Sequence, residues 1–197
     1  MFTQVSSKLF ANKKIIVNAI GFQLAWFICV QGNDFFAALA AIASIILYQM
    51  MFNTPLKTWK ILIAFALLGY LGDGIISIIF NLDYSGSLNG GNHSNVLSPV
   101  WLLSLWLAFA TTLNHSMQWL FKTPYLTVFV ALFFVPISYF AGITMSGSNF
   151  STSSESLNIG SLANGSFFIV EGLWWAILLI SYKRITESHI ASELSNV

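Results

Sequence analysis

Charge is the scarcest property of this chain. Asp, Glu, Lys and Arg make up 8% of its 197 residues while 56% are apolar, and a soluble globule of that size cannot cover its surface with so few charges. The expected class is an integral membrane protein. The formal net charge of +1 gives no general affinity for nucleic acid. A single cysteine, Cys29, excludes an intramolecular disulfide and a multi-cysteine metal site, and its apolar run reads as the setting of a buried, unreactive thiol. Only three histidines are present, His93, His115 and His189, too few for the many-histidine ligand set of membrane di-iron desaturases and hydroxylases. No phosphate-binding glycine loop, metal-ligand cluster or haem motif occurs, so no cofactor and no metal is expected. Ser85-Gly86 and Ser146-Gly147 fall at or beyond predicted helix ends in the outer loops, and no inward-facing His follows Ser146, so a Ser-His dyad is not expected.

Long apolar runs, by contrast, are abundant. A spanning helix needs about 20 mostly apolar residues, and six stretches qualify: 15–31, 35–52, 61–81, 99–119, 125–144 and 161–182. The predicted fold is therefore all-α, a single six-helix transmembrane domain over 1–197. Gly32, Asn33 and Asp34 form a polar turn that suits a tight hairpin between the first two helices. No internal repeat is visible, so an inverted-repeat transporter is not indicated.

The few basic residues are placed on one side. Lys8, Lys13 and Lys14 precede the first helix, Lys57 and Lys60 join the second to the third, Lys122 joins the fourth to the fifth, and Lys183 and Arg184 follow the sixth. The opposite loops, 82–98 and 145–160, hold no Lys or Arg. By the positive-inside rule both termini are expected in the cytoplasm.

Three ionisable residues are left inside the spans, where a charge costs a few kcal/mol and persists when paired, protonated or facing a cavity. Asp73 lies in Gly69-Tyr70-Leu71-Gly72-Asp73-Gly74, whose glycines let another helix or a ligand approach closely. Tyr70 and Ser77 extend its polar stripe. His115 lies in Thr111-Thr112-Leu113-Asn114-His115-Ser116-Met117-Gln118, where helical spacing puts Thr111, Asn114, His115 and Gln118 on one face. Glu171 is flanked by Phe167, Phe168, Trp174 and Trp175. The first helix adds Asn18, Gln23 and Trp26. The two stripes suggest an Asp73–His115 pair, while interhelical hydrogen-bond glue is the competing role for Asn18, Gln23 and Gln118. Trp59, Trp101 and Trp119 lie near expected interfaces; Trp26, Trp106, Trp174 and Trp175 are deeper, where they pack or line an apolar pocket. Pro136 should kink the fifth helix and free a backbone carbonyl for Ser138 or water.

The segments Asn18-Ala19-Ile20-Gly21-Phe22-Gln23-Leu24-Ala25-Trp26-Phe27, Gly69-Tyr70 with Asp73, Trp101 to Ala110 followed by Thr112-Leu113-Asn114-His115-Ser116, and Pro136-Ile137-Ser138-Tyr139 with Ala141-Gly142 resemble a family of short bacterial inner-membrane proteins catalogued only as a domain of unknown function. The likeness spans the first five helices. It implies a location and a fold rather than an activity, and an association with fatty-acid-modifying enzymes in bacterial genomes that points toward lipids. Asn18, Gln23, Asn33, Asp73, Asn114 and His115 match its polar positions; Glu171 matches no motif of it.

The leading expectation is a bacterial inner-membrane protein that binds, moves or modifies a lipid or small apolar molecule at a polar cluster of Asn18, Gln23, Asp73, Asn114 and His115, with Trp26 and Glu171 beside it. Whether it is an enzyme is left open; in an enzyme His115 would carry the proton and Asp73 would orient it. The alternatives are a proton-coupled transporter or channel using Asp73 and Glu171, and an accessory subunit packing against a membrane-protein partner or a second copy. Expected partners are membrane lipids, with no nucleic acid.

Overall fold

The computed structural model describes residues 2–31, 34–84, 98–150 and 159–194. Asn33, His93, Glu155 and most of both polar loops lie outside the described residues. Six α-helices follow one another: α1 Phe2–Val30, α2 Asp34–Phe52, α3 Leu56–Ile79, α4 Val100–Ala110, α5 Pro124–Ser146 and α6 Ile159–Leu194. All but α4 are long and apolar enough to cross a membrane. The first and last helices exceed their expected bounds because each continues into its flanking polar segment, 2–14 and 183–194.

The fourth apolar stretch differs from the expected continuous helix over 99–119. α4 ends at Ala110, turns follow through Met117, and a short 3-10 helix covers Gln118–Lys122. Its side chains give the reason. Thr111 Oγ1 donates to the Ala108 carbonyl at 2.7 Å and Thr112 Oγ1 to the Phe109 carbonyl at 2.6 Å, local bonds that compete with the helical ladder. The backbone then closes shorter turns, with Thr112 N donating to Phe109 O at 2.8 Å and His115 N to Thr112 O at 3.1 Å.

Turn chemistry sets the other ends. Asn53 and Asn81 take left-handed φ values of 47° and 52° just past α2 and α3, and Gly147 takes 72° just past α5, the cap conformation that Asn and Gly tolerate best. Thr123 caps α5 by accepting from Leu126 N at 3.2 Å, with Pro124 at the first turn. Asp34 does more than turn the chain: its Oδ1 accepts from Trp101 N at 2.8 Å and so holds the start of α4 against the start of α2. A two-residue antiparallel pair, β1 Leu82–Asp83 with β2 Asn149–Phe150, joins the segments after α3 and α5, which places the two polar loops at one end of the bundle.

The core runs through α4, which packs on α1, α2 and α3, while α5 packs on α6 and α6 on α3. Trp106 is 1% exposed and Phe65, Phe109 and Trp175 ring it. The glycines of α3 make that close packing possible. A Cβ on Gly69 would strike the Trp106 ring and one on Gly72 the Trp174 ring, while one on Gly74 would come within 2.9 Å of Ser98 Oγ. Many outward Leu, Ile and Phe side chains are exposed along α1, α2, α3 and α5, the surface a lipid-facing bundle presents.

Candidate functional site: a carboxyl pair behind an aromatic cleft

Asp73 lies in the second half of α3 and is fully buried, as is Glu171 on α6. Asp73 Oδ2 accepts from Trp106 Nε1 of α4 at 2.8 Å and from the Tyr139 hydroxyl of α5. Tyr139 in turn accepts from Trp175 Nε1 of α6 at 3.1 Å. Four helices thus converge on one carboxylate. The Glu171 carboxyl is its near neighbour, yet Asp73 Oδ1, both Glu171 oxygens, Tyr84 Oη and Trp174 Nε1 make no hydrogen bond of ordinary geometry. Tyr84 approaches from the segment after α3; burial, and then the charges of Asp73 and Glu171, push its phenol well above the ordinary tyrosine range, so it faces the pair as a neutral hydroxyl.

In front of this knot opens a cleft of about 500 Å³ between α1, α4 and α5, where α1 and α5 touch only lightly. Trp106, Tyr139, Trp175 and Tyr84 form its wall toward the carboxyls, and Phe22, Gln23, Trp26, Met117 and Trp119 continue it along α1 toward the 3-10 helix. Its lining is overwhelmingly apolar and aromatic, as small-molecule sites usually are. Pro136 stands beside the stretch of α5 that contributes Val135, Ile137, Ser138 and Tyr139 to the wall. Proline leaves the carbonyl four residues earlier without its helical donor.

The residues expected to form one polar cluster separate into two places. Asp73 and Glu171 meet at the knot. Asn18 and Asn114 belong instead to the break in α4: Asn18 Nδ2 donates to Thr111 O at 3.4 Å, Ser116 Oγ donates to Asn18 Oδ1 at 2.7 Å, and Tyr182 donates to Asn114 Oδ1 at 2.7 Å. His115 stacks on Phe52, ring centroids 3.5 Å apart, with Tyr48 at 5.4 Å. The Asp73–His115 pair is not formed, and Thr111, Asn114, His115 and Gln118 share no face because the helix ends before them. Gln23 and Trp26 line the cleft. Trp101, expected near an interface, is 3% exposed and packs against Tyr84. Cys29 is buried, as expected.

Tyr139 and Tyr84 carry the site without being marked by the sequence, whereas Trp106, expected to pack or line an apolar pocket, does line the cleft. A usable signal was present: a buried Asp requires donors, and deep Tyr and Trp residues on other helices are the side chains that can reach it while staying apolar elsewhere.

A helical bundle with five helices able to cross a membrane, a buried carboxyl pair and an aromatic cleft defines the class as a multi-pass membrane protein. The chain belongs to the family described as protein of unknown function DUF2878, whose model matches residues 15–181. No curated protein and no solved structure matches it.

Proposed function

We propose that this is a bacterial inner-membrane protein, with both termini cytoplasmic, that binds an elongated apolar or amphipathic molecule of lipid class in the cleft between α1, α4 and α5. The observation that carries the reading is the cleft itself, about 500 Å³ and lined by side chains such as Phe22, Trp26, Phe134 and Leu179, with polar wall groups gathered around Tyr139. That layout suits a molecule with one polar end and an apolar body. The basic residues that flank the apolar runs of α1, α3 and α6 support the orientation.

The fourth span is completed by an interrupted element. α4 alone has 11 residues, about 16 Å at 1.5 Å per residue, roughly half the hydrocarbon thickness. Irregular backbone is tolerated at membrane depth where protein covers it, and Thr111, Thr112 and Leu113 are at most 1% exposed.

Lipid extraction and native mass spectrometry of the detergent-purified protein test the reading. Wild type should retain a bound amphiphile, and Ala141→Trp, which fills the cleft from α5, should release it. Retention by the filled variant, or no retained molecule in wild type, contradicts the proposal.

A second reading, proton-coupled transport, is favoured by the buried Asp73–Glu171 pair, because neighbouring carboxyls with unpaired oxygens can exchange a proton. Uptake into proteoliposomes that is unchanged by Asp73→Asn and by Glu171→Gln would remove it.

A further inference from the structure

The direction of every hydrogen bond around Asp73 sets the chemistry of the cleft wall. The Trp106 indole N–H points to Asp73, the Tyr139 hydroxyl proton points to Asp73, and the Trp175 N–H points to Tyr139. Each of these three groups is committed inward. Trp106 is closed off, with Trp175 stacked on one face at a centroid distance of 4.3 Å and Gly69 against its ring, so what is left for the cleft is the outer π-face of the half-buried Trp175 and the oxygen of Tyr139. Ring faces are the negative side of the aromatic quadrupole, and a hydroxyl oxygen whose proton is engaged can only accept.

The charges nearby have one sign. Behind the wall stand Asp73 and Glu171, and any negative charge the pair carries is felt through a low-dielectric layer one side chain thick. None of the described residues lining the cleft is a Lys, Arg or His. An anionic head group at this end would find the hydroxyls of Tyr84 and Ser138 as donors, against a ring face, the Tyr139 oxygen and acidic groups with no cation to offset them. A cationic head group would meet the Trp175 ring face and hydroxyl oxygens able to accept, with the acidic pair behind them.

We propose that the polar end of the cleft's occupant is a cation, an ammonium-type group seated on Trp175 beside the Tyr139 oxygen, so that the protein takes amphipathic cations and rejects amphipathic anions of the same shape. This rests on the cleft being a binding site. It narrows the ligand class by charge and identifies the wall from α5 and α6 as the selective element.

Tetraphenylphosphonium and tetraphenylborate share a shape and differ in charge sign, so they test the inference without altering the protein. Binding of each to the full-length protein in detergent is measured by titration calorimetry and tryptophan fluorescence, with Ala141→Trp as the reference for partition into the micelle. The expected result is saturable binding of one phosphonium per chain, at least tenfold tighter than the borate, with the preference reduced by Trp175→Leu and by Asp73→Asn. Equal affinities, a preference for the borate, or no specific binding of either probe would overturn the inference. Retention of an amphiphile by wild type but not by Ala141→Trp in the same preparations would then show that the cleft reading survives; its failure there as well would remove both.

Discussion

At the scale of single residues, Tyr139 is the link between the buried carboxyls and the open cleft, since it touches Asp73 on one side and the cleft on the other. Tyr139→Phe keeps the ring and removes the hydroxyl, leaving Asp73 Oδ2 with Trp106 alone. Losing a donor to a buried carboxyl should cost about 1–3 kcal/mol, read as a lower thermal midpoint in detergent; an unchanged midpoint would mean the bond contributes nothing. The glycines offer a second comparison. Gly72→Ala puts a methyl into the Trp174 ring while Gly165→Ala meets open space. The first should destabilise by about 1–3 kcal/mol through overpacking, and the second should be neutral or slightly stabilising. Equal effects would contradict the packing described. Asp73 and Glu171 were legible in the sequence because charge is so rare inside the spans. Their partners were not, because Tyr and Trp occur throughout this chain and nothing in their spacing says which ring turns its donor inward.

At the scale of elements, the informative departure is α4. Its apolar composition reads as one span, and hydropathy averages over the Thr-Thr and Asn-His-Ser residues that end the helix. At helical spacing the same polar residues form a stripe; in the structure they are instead the side chains that close the break and bind its neighbours. Asn18 holds both Thr111 O and Ser116 Oγ, so Asn18→Leu should release the segment 111–117. Faster amide hydrogen exchange there, with a loss of about 1–2 kcal/mol typical of intramembrane polar contacts, is the expected result. Unchanged exchange would show that the turn stands without the clamp. Helix ends were partly readable: Thr123-Pro124 announces the start of α5, whereas the Asp34 contact to Trp101 spans 67 residues and has no local signature.

At the scale of the whole molecule, the basic residues and the β1–β2 pair agree on one arrangement. The segments after α3 and α5 meet at one end of the bundle, and neither polar loop contains Lys or Arg, which fits the proposed orientation with the lysines on the other side. Reporter fusions at each terminus should therefore report a cytoplasmic location, and cysteines placed in 85–97 should react with an impermeant thiol reagent applied from outside; the reverse pattern would invert the orientation proposed. The helix count was legible because apolar length is a property of composition. The cleft was not, because it arises where α1 and α5 fail to close against each other, a consequence of how all the helices pack together.

The most direct measurement is an experimental structure of the full-length protein purified with its retained molecule, for example from crystals grown in a lipidic mesophase. The account predicts continuous density in the cleft between α1, α4 and α5, with its polar end at Tyr139 and its apolar body running past Trp26 toward Trp119. A cleft closed by contact between α1 and α5, or a retained molecule bound on another face, would contradict it.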